Sequence, residues 1–395
     1  MYHSTSQKER PEPPRRENAH SDIQSCSERC EASLDSVWVL LRLLFREVIK
    51  FPMELPEQIK QAIPFWTGFN GLVSESLPCR TLVTYAPVVD SKPSDMSTVY
   101  TTMKKCMDMS KEVGQDFAIQ TFDQQLYAVS QQVKWSMPEV FQSHILRLGG
   151  FHTLSCFIAC IGKLWADGGL RDLMVDSGVY AGCTVDQMLL GKQFNRSVRG
   201  LTLVYEALRS LWFASFFKWC EENDGFDAIP KDVWVMLSKC QAKFSDESES
   251  YKDVLNELTI LYTTHVFRNW GYLESPTFKY WDMFLNAVEV MLQNIRAERE
   301  GLWSLHLHTT TDMLPYFFIT NRTNYSRWTP VYILDMLDIP HKVQSAFDSG
   351  EFAIHQKKGT FNGIWSDMAT EKNIIKDSKG HGGDCWINPQ KICFD

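Results

Sequence analysis

Long apolar runs are missing from this 395-residue sequence. No segment reaches the about 18 consecutive apolar residues that a membrane-spanning helix needs. Residues 3–11 are polar and contain no apolar core of the kind that a secretory signal has. We therefore expect no membrane partner and an intracellular protein, nuclear or cytoplasmic and not secreted, whose eleven cysteines remain free thiols in a reducing compartment.

An excess of positive charge is also missing. The chain has 40 Lys and Arg against 48 Asp and Glu, a formal net charge of −8, which argues against a general nucleic-acid coat protein and leaves a local basic groove open. There is no P-loop, G-x-G-x-x-G, H-E-x-x-H or G-x-S-x-G motif. The hydrophobic fraction of 44% nevertheless indicates a soluble globular chain with a large core, of about two or three domains.

Short β-rich runs alternate with helical patterns in the first half of the chain. Strands are predicted at Thr81–Val89, Phe117–Phe122 and His144–Leu148, and a helical pattern follows each of them. This order is typical of an α/β unit with parallel strands. Short strands are predicted again at Glu351–His355 and Thr360–Ile364, followed by a helix near Asp367.

The second half is dominated by apolar residues at helical spacing. The predicted fold class is therefore α/β plus mostly α. In chain order, the predicted parts are a disordered tail 1–36, an N-terminal helical segment 37–78, the first part of an α/β core 79–185, a helical insertion 186–346, a β–α return to the core 347–383 and an irregular tail 384–395.

Three polar residues follow the predicted strands of the α/β unit: Asp90, Asp123 and His152. In parallel α/β sheets, functional groups gather at the carboxyl ends of the strands. The carboxylate of Asp123 could hold Mg²⁺ or could simply cap the next helix, and the local sequence favours the cap. His152 could be a metal ligand or a base, although an ordinary histidine at a helix start or in the core is the favoured alternative.

Two more candidate groups lie near the end of the chain. Asp367 and Glu371 are four residues apart, which places them on one face of a helix, where they could complete a metal site begun by Asp123. The alternative is a helix cap and a solvated acid. Arg322, Arg327 and Trp328 could stack on bases and hold phosphates, or could build a buried helix junction, and the sequence weights these two interpretations equally.

Five segments carry a resemblance to a known family: TFDQQLY (121–127), LRLGGFHTL (146–154), GKQFNRSVRG (191–200), MLPYFFITNRTNYSRWTPVYI (313–333) and FNGIWSDMATEKN (361–373). Over residues 60–383 the chain resembles transposable-element-derived proteins of invertebrates, which are related to domains of unknown function in fungi and metazoans. The resemblance implies a partial RNase H-like core with a parallel or mixed sheet, interrupted by a large helical insertion. It also implies phosphodiester transfer on DNA with Mg²⁺ or Mn²⁺, Asp123 and Glu371 (or Asp367) being the catalytic acids.

The chain departs from that family where the first catalytic acid is expected. No segment matches the earlier strand that would carry it, and a two-metal site needs all of its acids. We therefore expect a catalytically incomplete core, at most a degenerate transposase or nuclease. The alternatives are a non-enzymatic helical module for protein interaction and a truncated gene fragment.

Overall fold

The computed structural model describes residues 34–46, 62–74, 78–84, 89, 91–223, 262–355 and 359–371. Nearly all of the predicted tail 1–36, the whole of the tail 384–395 and the candidate Asp90 lie outside these residues. Within them, no helix is long and apolar enough to cross a membrane. Thiols that form no disulfide are found, as expected, at Cys79, Cys106, Cys156, Cys160, Cys183 and Cys220.

Helices make up most of the described chain. Those of the first part are α1 Leu34–Arg46, α2 Trp66–Val73, α3 Met96–Glu112, α4 Gln124–Ser136, α5 Gly150–Trp165, α6 Arg171–Asp176, α7 Gly182–Leu189 and α8 Phe194–Glu222. Those of the second part are α9 Tyr262–Glu274, α10 Pro276–Glu300, α11 Trp303–Asp312, α12 Leu314–Ile319, α13 Thr323–Leu337, α14 His341–Asp348 and α15 Ser366–Thr370. The predicted helical character of the second half is therefore confirmed for its described residues.

The sheet of the described residues consists of two parallel strands, β1 Ala118–Phe122 and β2 His144–Leu148. Their register pairs Ala118 with His144 and Phe122 with Leu148, and α4 forms the crossover between them. All five residues of β2 are buried, as expected for a strand that is covered on both faces. The predicted parallel α/β unit is thus present as one strand–helix–strand–helix run.

The predicted strand Thr81–Val89 does not form over its described residues, 81–84 and 89. The reason lies in Thr81, whose main-chain N–H donates to the carbonyl of His355 at 2.7 Å and whose hydroxyl accepts from the N–H of His355 at 3.0 Å. A side chain therefore takes one of the hydrogen bonds that a strand ladder would use. The two late strands also shrink, to one antiparallel bridge between Ile354 and Ile364.

One continuous apolar core joins the α/β run to the later helices. Phe157 of α5 and Phe284 of α10 are fully buried and belong to the same cluster of buried side chains. Helix α10 packs against both α5 and α8. The later helices therefore pack against the α/β run, and α15 brings residues from the end of the described chain to the ends of the strands.

Candidate functional site

The candidate site lies where the two parallel strands end. After β2, the N–H of Gly149 donates to the carbonyl of Phe122 at 2.7 Å, which extends the strand pairing by one step. Helices α4 and α5 then leave the sheet from neighbouring positions. Their N-terminal N–H groups and the positive ends of their dipoles favour carboxylates at this edge of the sheet.

Asp123 is the N-cap of α4. Its Oδ1 accepts a hydrogen bond from the N–H of Leu126 at 2.8 Å, and the residue is exposed. The capping interpretation of Asp123 is thereby confirmed. Because capping uses one carboxylate oxygen, a second role as a cation ligand stays a prediction that the cap does not preclude.

Asp367 caps the N-terminus of α5, although it comes from a helix that is distant in the sequence. Its two carboxylate oxygens accept from the N–H groups of Phe151 and His152, each at 3.2 Å. The side chain is only 9% exposed. An aspartate on α15 therefore caps α5, and the resulting contact joins the end of the described chain to the sheet.

Two glycines make room for this contact. A Cβ at Gly149 would lie 2.5 Å from Oδ2 of Asp367, and a Cβ at Gly150 would lie 2.3 Å from the ring of Trp365. Both distances are too short for a real side chain, so the Gly149–Gly150 pair is what allows α15 to reach the start of α5. The sequence contained this signal, but a glycine pair after a strand indicates a close approach without naming the partner.

His152 lies between two carboxylates. Its Nδ1 is 3.0 Å from Oδ2 of Asp367 and its Nε2 is 3.2 Å from Oε1 of Glu371. The hydrogen bond to Asp367, together with the negative charges of Asp367, Glu371 and Asp123, raises the pKa of His152 above its ordinary value, against the opposing effect of burial. This arrangement favours an imidazolium that donates from both nitrogens.

We call the group Asp123, His152, Asp367 and Glu371 the acidic corner. The structure brings all four of these predicted residues to one edge of the sheet, although they come from three separate segments. Among the residues that the structure describes, no set of three or more His, Cys, Asp or Glu side chains is arranged to hold a metal ion. Their catalytic and metal-binding roles stay predictions.

The start of α13 lies beside the acidic corner. Burial, followed by the charges of Cys156, Asp367 and Asp123, raises the pKa of Tyr325 above its ordinary value. Sequence reasoning did not single out Tyr325 or Trp365. Both are apolar-face residues whose proximity to the acids depends on how distant helices pack.

The three residues predicted to bind nucleic acid do not share one surface. Trp328 is 4% exposed and stacks on Trp135, with ring centroids 5.7 Å apart, so its ring belongs to the core. Arg322 is half-buried and donates to the carbonyl of Ala159 at 3.3 Å. Arg327 is exposed, with its guanidinium carbon 5.1 Å from the Trp328 ring centroid. The buried-junction interpretation describes Trp328, and binding of DNA by the two arginines stays a prediction.

Comparison with known proteins gives one match. A family described as a domain of unknown function (DUF8702) matches residues 65–386, a range that contains the whole acidic corner. Searches of the curated proteins and of the solved structures find no match to the chain. Since the matched range covers most of the sequence, the chain belongs to the family of domains of unknown function DUF8702.

Proposed function

We propose that the chain derives from an RNase H-like transposase and that the acidic corner is the retained part of its site for DNA phosphodiester transfer. In this proposal, Asp123 and Glu371 are the ligands of Mg²⁺ or Mn²⁺. One observation carries it: Asp367 and Glu371, from a distant segment, contact His152 at the carboxyl end of the parallel strands, where Asp123 also follows β1 and where α/β proteins place their ligands.

The donor groups suit a hard divalent cation. The hydrogen bond of Asp123 to α4 and the contact of Glu371 with His152 each involve one carboxylate oxygen. Mg²⁺ is commonly held by one or two carboxylates while waters and substrate phosphates complete its coordination. Two acids therefore suffice for a cation that is shared with a DNA phosphate, even though the described residues contain no set of three ligands.

Each member of the acidic corner has a different task in this proposal. Asp367 is committed to α5 and holds the His152 ring in place. His152 keeps a proton on Nε2 facing Glu371, so the imidazolium competes with a cation for that carboxylate. A bound cation would polarise the phosphoryl oxygen and lower the pKa of an attacking water. Because Glu371 must be shared, we expect weak cation binding and little or no turnover, in keeping with an incomplete core.

The alternative of a non-enzymatic interaction module needs no such convergence. A helix cap at Asp123 and a solvated acid at Glu371 would serve equally well at separate places. The placement of both acids at the same edge of the sheet, with Glu371 in contact with His152, therefore favours the metal-site proposal over that alternative.

The direct test is Mn²⁺ titration of the purified full chain, followed by electron paramagnetic resonance. We expect Asp123→Asn and Glu371→Gln each to weaken Mn²⁺ binding about tenfold or more, which is about 1.4 kcal/mol. The matched controls are Asp116→Asn and Glu139→Gln. Both residues are exposed, and they precede β1 and β2 in the chain, whereas the acidic corner lies where the strands end. Equal Mn²⁺ affinity in the wild type and in both site variants would refute the proposal.

Nicking of supercoiled plasmid DNA in Mg²⁺ or Mn²⁺ tests the chemistry separately. Any cleavage by the wild type should be abolished in Asp123→Asn and kept in Asp116→Asn. Cleavage that persists without Asp123 would assign the activity to another site.

A further inference from the structure

We propose that the start of α8 is a binding surface for the DNA backbone beside the acidic corner. The surface consists of Lys192, Arg196 and Arg199, and we call it the cationic ridge. This inference rests on the proposed function for its partner, since it assigns to DNA the place next to the acids.

The first turn of α8 is fixed directly to the acidic corner. The ring of Phe194 packs on Phe151 with centroids 4.9 Å apart, and on Trp365 with centroids 5.8 Å apart. Phe151 donates its N–H to Asp367, and Trp365 immediately precedes the helix that carries Asp367. The first turn of α8, which contains Arg196, therefore packs through Phe194 on residues that hold the acidic corner together.

The turn that precedes α8 is also held in place. Gly191 has a φ of +74°, and a Cβ there would lie 2.3 Å from the carbonyl oxygen of Ser155 in α5. Ser197 donates its hydroxyl hydrogen to the carbonyl of Met188 at 3.0 Å. Contacts with α5 and α7 thus hold the backbone at the start of α8, which carries the ridge, in place.

The three ridge cations are exposed, and within the described chain none of them forms an ion pair. Neighbouring arginines behave differently: Arg171 pairs with Asp186, and Arg209 pairs with Glu289. The sequence explains the difference, because residues 190–205 contain three basic residues and no acidic one. In a chain of net charge −8, the ridge is a local positive field beside a cluster of acids.

The size of the ridge suits a nucleic-acid strand. Arg196 and Arg199 lie near the start of α8, about 4.5 Å apart along its axis at the rise of an α-helix, and Lys192 lies two residues before the helix begins. One DNA strand presents a phosphate about every 3.4 Å of helix axis, so the spacing of the two arginines is close to that of neighbouring phosphates. Arginine also binds phosphate through two parallel N–H donors, which gives the contact a defined orientation.

The test compares two triple variants of the full chain that remove the same charge. The ridge variant is K192Q/R196Q/R199Q, and the control is K104Q/K105Q/K111Q, which replaces exposed lysines of α3. Binding of a fluorescent DNA duplex of about 20 base pairs is measured by anisotropy in EDTA, between about 50 and about 200 mM salt. Thermal unfolding of both variants checks that they are folded.

We expect the ridge variant to bind DNA about tenfold or more weakly than the control, with a shallower salt dependence. The slope of the logarithm of the binding constant against the logarithm of the salt concentration should decrease in magnitude by up to about 0.9 for each phosphate that the variant no longer neutralises. Equal affinities of the two variants, or wild-type binding of polyglutamate as strong as of DNA, would overturn the inference. Because EDTA removes divalent cations, the outcome is separate from that of the Mn²⁺ titration. DNA binding that depends on the ridge, in a chain that binds no Mn²⁺, would keep the ridge and refute the metal site.

Discussion

One histidine begins β2 and another follows its end, in the first turn of α5. The two histidines have opposite environments. His144 begins the strand and is fully buried, and within the described residues neither of its ring nitrogens has a hydrogen-bond partner. Burial and the nearby charge of Lys134 lower the pKa of His144 to about 4. His152 follows the other end, contacts two carboxylates and has a raised pKa.

The difference shows how one short sheet separates charge. At the amino end, the ring of Phe141 packs on His144 with centroids 5.9 Å apart, so a neutral side chain is favoured. At the carboxyl end, the N-terminal N–H groups of α4 and α5 attract Asp123 and Asp367. A buried histidine without partners is a packing residue, whereas a half-buried one among acids with spare oxygens belongs to a candidate site.

The largest change in the free energy of unfolding is expected from protonation of His144, at the amino end of β2. Since the folded pKa of His144 is about 4, below the ordinary value of about 6.5, the unfolded chain binds a proton that the folded chain does not over this interval. Lowering the pH from about 6.5 to about 4 should therefore remove up to about 3 kcal/mol of stability through this residue. His144→Phe should lose less stability on acidification, as measured by urea unfolding at neutral pH and near pH 4.5.

Comparison of wild type with variant isolates this histidine from the other titrating groups, including Asp35, whose pKa burial raises to about 6 with the opposite effect on stability. An equal loss of stability in acid for both proteins would contradict the assignment of His144 as the neutral end of the strand.

A smaller effect is expected from closing the space beneath α15. Gly149 has an ordinary φ of −61°, so Gly149→Ala tests the close approach of Asp367 without backbone strain. We expect a loss of about 1–3 kcal/mol in urea unfolding, because the added methyl group must displace the carboxylate. The control is Gly71→Ala in α2, where a Cβ meets nothing within 4 Å and a gain of about 0.5–1 kcal/mol is expected. Equal effects of the two substitutions would show that α15 does not depend on this space.

Asp367→Asn should cost about 1 kcal/mol, because an amide caps α5 but cannot pair with an imidazolium. The raised pKa of His152 means that its ion pair stabilises the fold below the ordinary pKa of histidine and that this stabilisation is lost as the pH rises through the folded pKa. The substitution should lower the pKa of His152. The free energy of unfolding should then fall less as the pH rises through this pKa. Titration of the imidazole by NMR measures the shift, with exposed Asp338→Asn as the control. An unchanged pKa of His152 in the variant would show that Asp367 does not cause the difference between the two histidines.

The smallest change in stability is expected for Asp123→Asn. Asparagine caps a helix as well as aspartate does, so the free energy of unfolding should change by less than about 0.5 kcal/mol. The loss of charge should still weaken Mn²⁺ binding. A large loss of stability would instead show that the charge of Asp123 serves mainly to hold α4.

Much of the candidate site was accessible from the sequence. Asp123 and the Gly149–Gly150 pair ended two apolar runs, and the structure has strands over nearly the predicted residues. Asp367 and Glu371 were placed on one face of a helix by their spacing and were expected near Asp123, while the rule for the carboxyl ends of strands singled out Asp123 and His152. These features depend on local patterns.

Features that depend on long-range packing were beyond the sequence. Asp35 lies in the first turn of α1, buried, and accepts a 2.5 Å hydrogen bond from Trp66, a partner that only the packing of α1 on α2 supplies. Trp328 was a candidate for base stacking because it sits near arginines, yet its position three residues after Tyr325 and four before Tyr332 follows the core-facing stripe of α13. That Asp367 caps α5 could not be read from either segment alone.

The cap that Asp367 provides also fixes the order of events during synthesis. His152 and Asp367 are 215 positions apart, so the ribosome must add more than two hundred residues before the partner of the His152 N–H exists. Until then the N–H groups at the start of α5 have no carboxylate from Asp367 to accept their hydrogen bonds. The acidic corner therefore cannot be complete before residues 367 and 371 have been synthesised, however early α5 itself is made.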